Sequence, residues 1–177
     1  AKRGDIGSTM KAYADAWLGT SSPLGTDSVT LSPYLGFESL RPALDAATAN
    51  QRGTFVLALT SNPEGKSVQH VGKAEDTGAV ANQVIAAATA ENTAQTWERM
   101  GSCGLVVGAT VGEALKELAI DLSTFNGPIL SPGYGAQGAS AEDLYQIFAG
   151  VESQVLVNSS RGVLSAGPQL ADLARAA

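Results

Sequence analysis

Five short apolar runs punctuate this chain, and each is followed by a stretch with helical spacing. SVTLS (28–32), TFVLALT (54–60), GLVVGAT (104–110), PILS (128–131) and QVLVN (154–158) are too short for buried helices and read as strands. Leu40, Ala43, Leu44 and Ala47 share one helical face after the first run, where Pro42 is tolerable only in a first turn. A helix is expected from about Val80 to Met100, another through Val111, Ala114, Leu115 and Leu118, and a third through Ala141, Leu144, Ile147 and Phe148. Pro168 opens a last helix carrying Leu170 and Leu173. Ahead of all five runs, Met10, Tyr13, Ala14, Trp17 and Leu18 make a helix started by Gly7-Ser8 and stopped by Gly19. Trp17 and Trp97 both fall on helical faces, as packing residues. Continuous apolar strands alternating with amphipathic helices are the pattern of a parallel sheet covered by helices.

Counting the opening AKRGDI as the tail of another strand gives six βα units, which fit a doubly wound open sheet. A (β/α)8 barrel takes eight and about 250 residues, so this chain would supply only part of one. Nearly every run ends in small, polar or turn-forming residues: Ser32-Pro33, Thr60-Ser61-Asn62-Pro63, Thr110, Ser131-Pro132-Gly133 and Asn158-Ser159-Ser160-Arg161. In a barrel such ends form one shared rim that carries the active site; in an open sheet they spread along an edge. GYGAQG has the G-x-G-x-x-G spacing, but without a first dinucleotide-unit strand before it or an acidic residue downstream the match is accidental.

Composition narrows the partners. With 11 Lys and Arg against 17 Asp and Glu, the net charge of −6 argues against nucleic acid and anionic membranes. A phosphorylated small molecule needs only one or two local cations and some backbone N–H groups, and is not excluded. No apolar run reaches the length of a membrane span. The lone Cys103 has no disulfide partner, which points to a reducing, cytoplasmic setting, and its surroundings GSCGLVVG read as an inert buried strand. The lone His70 has no second His or Cys at ligand spacing, so neither a metal site nor a His-based triad is expected.

Two late segments read as a phosphate grip. SPGYGAQG (131–138) is a glycine-rich turn with Gln137 as an amide donor, and NSSRG (158–162) adds the planar cation of Arg161. The plain alternative is two ordinary turns with a surface Arg. Lys2 and Asp5 are further candidates, the plain alternative there being a solvated basic tail. An ordered Lys held by an Asp at the carboxyl end of a strand would serve as a proton donor.

These motifs together resemble the orotidine 5′-phosphate decarboxylase family. KRGDIGST resembles the second part of its Asp-x-Lys-x-x-Asp signature, in the Lys-Arg-Gly-Asp form of a bacterial subgroup. LTSNPEG, SPGYGAQG and NSSRG are similar to its pyrimidine loop, phosphate loop and phosphate Arg, in that order. The resemblance covers essentially the whole chain.

It implies a homodimeric (β/α)8 TIM barrel that decarboxylates orotidine 5′-monophosphate to UMP with no metal or organic cofactor. Residues 1–177 would form a single domain, running from the end of strand 3 through helix 8. The first two βα units and the signature's first Asp would belong to a missing N-terminal segment of the same protein. By the same resemblance, Lys2 is the ammonium that meets and protonates the C6 carbanion, and Asp5 crosses the dimer interface to the other site. Ile6 and Thr9 follow Asp5 to the substrate, and Ser61 reads the pyrimidine edge. Gln137 and Arg161, with the backbone around Pro132 and Ser160, hold the phosphate, and 61–78 is a closing lid. Two alternatives remain beside it: a Mg²⁺-dependent sugar-phosphate decarboxylase or aldolase of the same superfamily, and a non-catalytic phosphometabolite-binding barrel.

Overall fold

The five apolar runs pair in the order in which they occur along the chain. In the computed structural model, which describes residues 7–72, 78–135 and 137–177, they form one sheet of order β1-β2-β3-β4-β5. The strands are β1 (Ser28–Leu31), β2 (Gly53–Leu59), β3 (Cys103–Val107), β4 (Ile129–Pro132) and β5 (Val155–Asn158). Every pairing is parallel. A doubly wound sheet reverses its strand order at a switch point, and this one does not. Unbroken order with right-handed crossovers puts every connecting helix on the same face, which is the arc of a (β/α) barrel. The expected end of strand 3, on residues 1–6, lies outside the described residues.

The helices are α1 (Gly7–Leu18), α2 (Arg41–Ala49), α3 (Lys66–Gln69), α4 (Val80–Thr93), α5 (Gly112–Glu117), α6 (Ala141–Ile147), α7 (Ser160–Leu164) and α8 (Leu170–Ala176). Pro42 sits in the first turn of α2, where its missing N–H has no intrahelical partner to lose. In-register parallel neighbours point the same way. Leu31, Val56, Leu105 and Ile129 follow one another across the sheet and face the helices. They join Met10, Leu18, Leu44, Ala88, Phe125 and Phe148 in one core. The opposite, concave face carries Leu57, Val106, Leu130 and Leu156 in register. Phe55 lies on that face too, against Gly104, where a Cβ would come within 2.6 Å of the Phe55 ring and 2.7 Å of the Pro128 carbonyl.

Three elements differ from the sequence expectation. Helix α4 ends at Thr93 rather than near Met100, because the Asn92 side chain turns to the start of β3. Its Nδ2 donates to the Cys103 carbonyl at 2.8 Å and its Oδ1 accepts the Cys103 N–H at 3.1 Å. Trp97 is therefore not on a helix; its indole N–H caps the Asn92 carbonyl at 2.8 Å. The 61–78 segment is not a plain loop, since it contains a 3₁₀ turn at Pro63–Gly65 and then α3. Finally, Ser160–Leu164 is a short helix where only a turn was expected.

Asn92 is 1% exposed and pairs with both polar backbone groups of Cys103. Asn92→Ala leaves both without their partner, and unfolding in urea should show a loss of about 2–4 kcal/mol. A change below about 0.5 kcal/mol would contradict this role for the amide.

Candidate active site

Level strand ends put the loops that follow them side by side. Pro132 pairs with Asn158 and Leu59 with Val107, so β2, β3, β4 and β5 finish at one rim. Backbone bonds just past the strands keep that rim closed: Gly108 N–H donates to Leu59 O at 2.9 Å, and Ala109 N–H to Pro132 O at 2.8 Å.

Two of the expected site residues meet directly. The Ser61 hydroxyl donates to Gln137 Oε1 at 3.0 Å, joining the loop after β2 to the loop after β4 across 76 residues of sequence. Both side chains are exposed at the rim, open to a ligand. The loop after β4 can fold back on itself because Gly133 has φ of 116°, a conformation that L side chains rarely adopt. Gly135 N–H then bonds Ala139 O at 2.9 Å, and Gly138 N–H bonds Gly135 O at 2.9 Å. The loop runs into α6 through a capping box between Ser140 and Asp143. The Ser140 hydroxyl and N–H hold the Asp143 carboxyl below the usual carboxylate range.

Arg161 lies in the first turn of α7, directly after β5. Its approach is set by Asn158, whose Oδ1 accepts the Ser160 N–H at 3.2 Å and the Ser160 hydroxyl at 3.0 Å. Arg41 is paired with Glu38 and Glu91, Arg175 is paired with Asp172, and Arg52 caps the carbonyls of Trp17 and Thr26. Arg161, in contrast, is exposed and makes no ion pair among the described residues. An unengaged guanidinium beside a glycine-rich turn offers a planar fork to an anion's oxygens.

The remaining expected residues are placed less completely. Pro132 is half-buried, and its carbonyl is occupied by Ala109 N–H. Ser160 N–H is likewise occupied, by Asn158. Thr9 is half-buried near the start of α1, which packs on α2 and β1 at the far end of the arc from Arg161. Lys2, Asp5 and Ile6 lie outside the described residues. Two participants escaped the sequence reading. Asn158 carries a legible signal, an Asn before two Ser residues, the usual opening of a side chain-to-backbone turn. Gln69, whose carboxamide bonds Thr60, carries none.

Cys103 is not part of the rim. It is 1% exposed at the opposite end of β3, and burial pushes its thiol up to about 12. His70 is half-buried beyond α3. No helix among the described residues is long and apolar enough to cross a membrane.

A parallel βα arc whose strand ends bring a glycine-rich turn and an exposed Arg together at one rim defines a segment of a (β/α) barrel. The chain belongs to the orotidine 5′-phosphate decarboxylase / HUMPS family, whose pattern matches residues 1–176. It is 49% identical over 181 residues to the orotidine 5′-phosphate decarboxylase of Streptomyces coelicolor, covering 100% of this chain and 61% of that protein. The orotidine 5′-phosphate decarboxylase of Salinispora arenicola is 52% identical over 176 residues, with 99% and 61% covered. A crystal structure from Streptomyces avermitilis, assigned to the same activity, superposes with a TM-score of 0.88 at 51% identity, covering 99% of this chain and 59% of that one. Leishmania donovani UMP synthase gives a TM-score of 0.70 at 32% identity, with 99% and 36% covered. The chain thus spans about three fifths of the length of the curated relatives it matches.

Native Cys103 should resist alkylation by iodoacetamide at pH 8 and react fully once the protein is unfolded in urea. Mass spectrometry reads both states. Rapid labelling of the folded protein would contradict the buried, protonated thiol.

Proposed function

We propose that this chain works as part of an orotidine 5′-phosphate decarboxylase, converting orotidine 5′-monophosphate to UMP. The observation that carries the reading is the Ser61–Gln137 hydrogen bond at the rim. It draws a loop suited to a heterocycle's edge against a loop suited to a phosphate, on the same rim as Arg161. Relatives of about half identity all bear this activity in their names, which favours it over the Mg²⁺-dependent alternative.

On this reading the C6–carboxylate bond breaks, CO₂ leaves, and the electron pair stays on C6. With no electron sink, the developing carbanion is stabilised by charge placed in a dry pocket. The Lys2 ammonium faces that charge and then donates its proton to C6. Asp5, with Ile6 and Thr9, reaches the site of the second subunit of a homodimer. Ser61 meets the pyrimidine edge. Gln137, Arg161 and the backbone beside Pro132 and Ser160 take the phosphate, whose binding energy serves to close and organise the site. Binding phosphate through Ser160 N–H requires Asn158 to release it. Residues 1–177 act as one domain, and the barrel is completed by the further length that the relatives carry. The lone buried thiol suits a cytoplasmic enzyme of pyrimidine nucleotide synthesis.

Two measurements test these assignments. Arg161→Ala should raise KM for orotidine 5′-monophosphate about 100-fold, the loss of a charge-assisted bidentate contact. It should leave turnover of orotidine, which lacks the phosphate, unchanged. An equal loss on both substrates would remove Arg161 from the phosphate site. For the shared site, Lys2→Ala and Asp5→Ala should each be nearly inactive alone. Mixed and allowed to exchange subunits, they should regain about a quarter of wild-type activity, because half the dimers then carry one intact site of two. No recovery after demonstrated exchange would contradict a site built across the interface.

A further inference from the structure

The segment after β2 is tied back to the strand end by the Gln69 side chain. Gln69 Oε1 accepts the Thr60 N–H at 2.9 Å, and its Nε2 donates to Thr60 Oγ1 at 2.9 Å. The Thr60 hydroxyl in turn donates to Asn62 Oδ1. Thr60 is the first residue past β2, where the ladder to β3 has ended, so this amide replaces the lost sheet partner. Gly65 packs on the same knot: a Cβ there would lie 3.1 Å from Gln69 Nε2, 3.1 Å from Thr60 Oγ1 and 3.3 Å from Asn62 Nδ2.

The knot contributes nothing to the core. Neither the Pro63–Gly65 turn nor α3 has a buried residue. What the knot encloses is Ser61, held between Thr60 and Asn62 with its hydroxyl directed to Gln137. The N-terminal half of the 61–78 segment is thereby an ordered unit, closed below by Ser67 Oγ donating to Glu64 O at 2.8 Å and by Val80 N–H donating to Val71 O at 2.8 Å.

We infer that Gln69 is a positioning residue: by fixing Thr60 it sets where the Ser61 hydroxyl meets the substrate and Gln137. The inference rests on the decarboxylase reading above, since it gives Ser61 a substrate to serve. Gln69 touches no reacting atom, so its effect must pass through Ser61. That separates it from a residue that merely supports the fold.

The test uses the protein at the full length of its relatives. Gln69→Leu removes both bonds at nearly constant volume, and should lower kcat/KM for orotidine 5′-monophosphate about tenfold, the worth of a net amide contact. Gln69→Glu keeps an acceptor for Thr60 N–H and should recover most of that loss. In a Ser61→Ala background, Gln69→Leu should cost less than about twofold, because the group it positions is gone. Amide hydrogen exchange at Thr60 should accelerate in Gln69→Leu while Tm stays within about 2 °C of the parent. The same tenfold loss with and without Ser61 would overturn the inference, as would unchanged kinetics or unchanged exchange at Thr60. If the parent protein decarboxylates nothing while exchange at Thr60 still responds, the tie is real but the decarboxylase reading fails, and the positioning role falls with it.

Discussion

Parallel pairing of each strand with its sequence neighbour is the constraint on which the rest of this structure depends. Parallel strands cannot be joined by tight hairpins, so each pair needs a crossover, and the chain supplies a helix for it. Because the order never reverses, every crossover lies on the same side. The helix-facing residues of successive strands then stack into one core, while all the carboxyl ends emerge at one rim. Apart from the buried Ser131 and Gly133, the small and polar residues at those ends stand outside the core, which leaves them available for chemistry.

That division of labour explains the contrast between the two ends of the strands. At the amino end, Asn92 spends both of its polar atoms on Cys103, and Cys103 itself is buried and protonated. The amide of Asn92 is wholly consumed by structure there. At the carboxyl end, Ser61, Gln137 and Arg161 are exposed, and the only bond among them is the one that links two loops. Exposed groups with spare hydrogen-bonding capacity are what a ligand requires. The loops that carry them are nevertheless shaped by local ties: Gln69 to Thr60 before Ser61, Asn158 to Ser160 before Arg161, and Ser140 with Asp143 after Gln137. The structure thus combines an adaptable set of side chains with a backbone that is already arranged.

Much of this was legible in the sequence, for identifiable reasons. All five strands were readable because each is a short, mostly apolar run bounded by turn-forming residues, and Pro42 marked the start of its helix through its missing N–H. The Ser61, Gln137 and Arg161 loops were readable because small residues, glycines and a cation at strand ends have few structural uses. Side-chain ties to backbone were not readable. The helical spacing beyond Thr93 gives no hint that Asn92 has turned away to Cys103, and nothing in SVQH announces that Gln69 returns to Thr60. Such bonds depend on which segments the fold brings together, and periodicity is silent on that. Lys2 and Asp5 were candidates from their own spacing as a Lys held by an Asp, with their roles supplied by the motif resemblance, and Ile6 came from the resemblance alone. All three lie outside the described residues, so their roles rest on the family and on the subunit-mixing experiment.

The central claim is that this rim belongs to a decarboxylase that stabilises a carbanion by placed charge alone. The most direct measurement follows the loss of orotidine 5′-monophosphate absorbance over time in EDTA, with the protein at the full length of its relatives. Undiminished turnover to UMP and CO₂ is the predicted result. Turnover that disappears in EDTA and returns with Mg²⁺ would contradict the account in favour of metal-assisted chemistry, and binding of UMP without any turnover would contradict it in favour of a phosphometabolite-binding barrel.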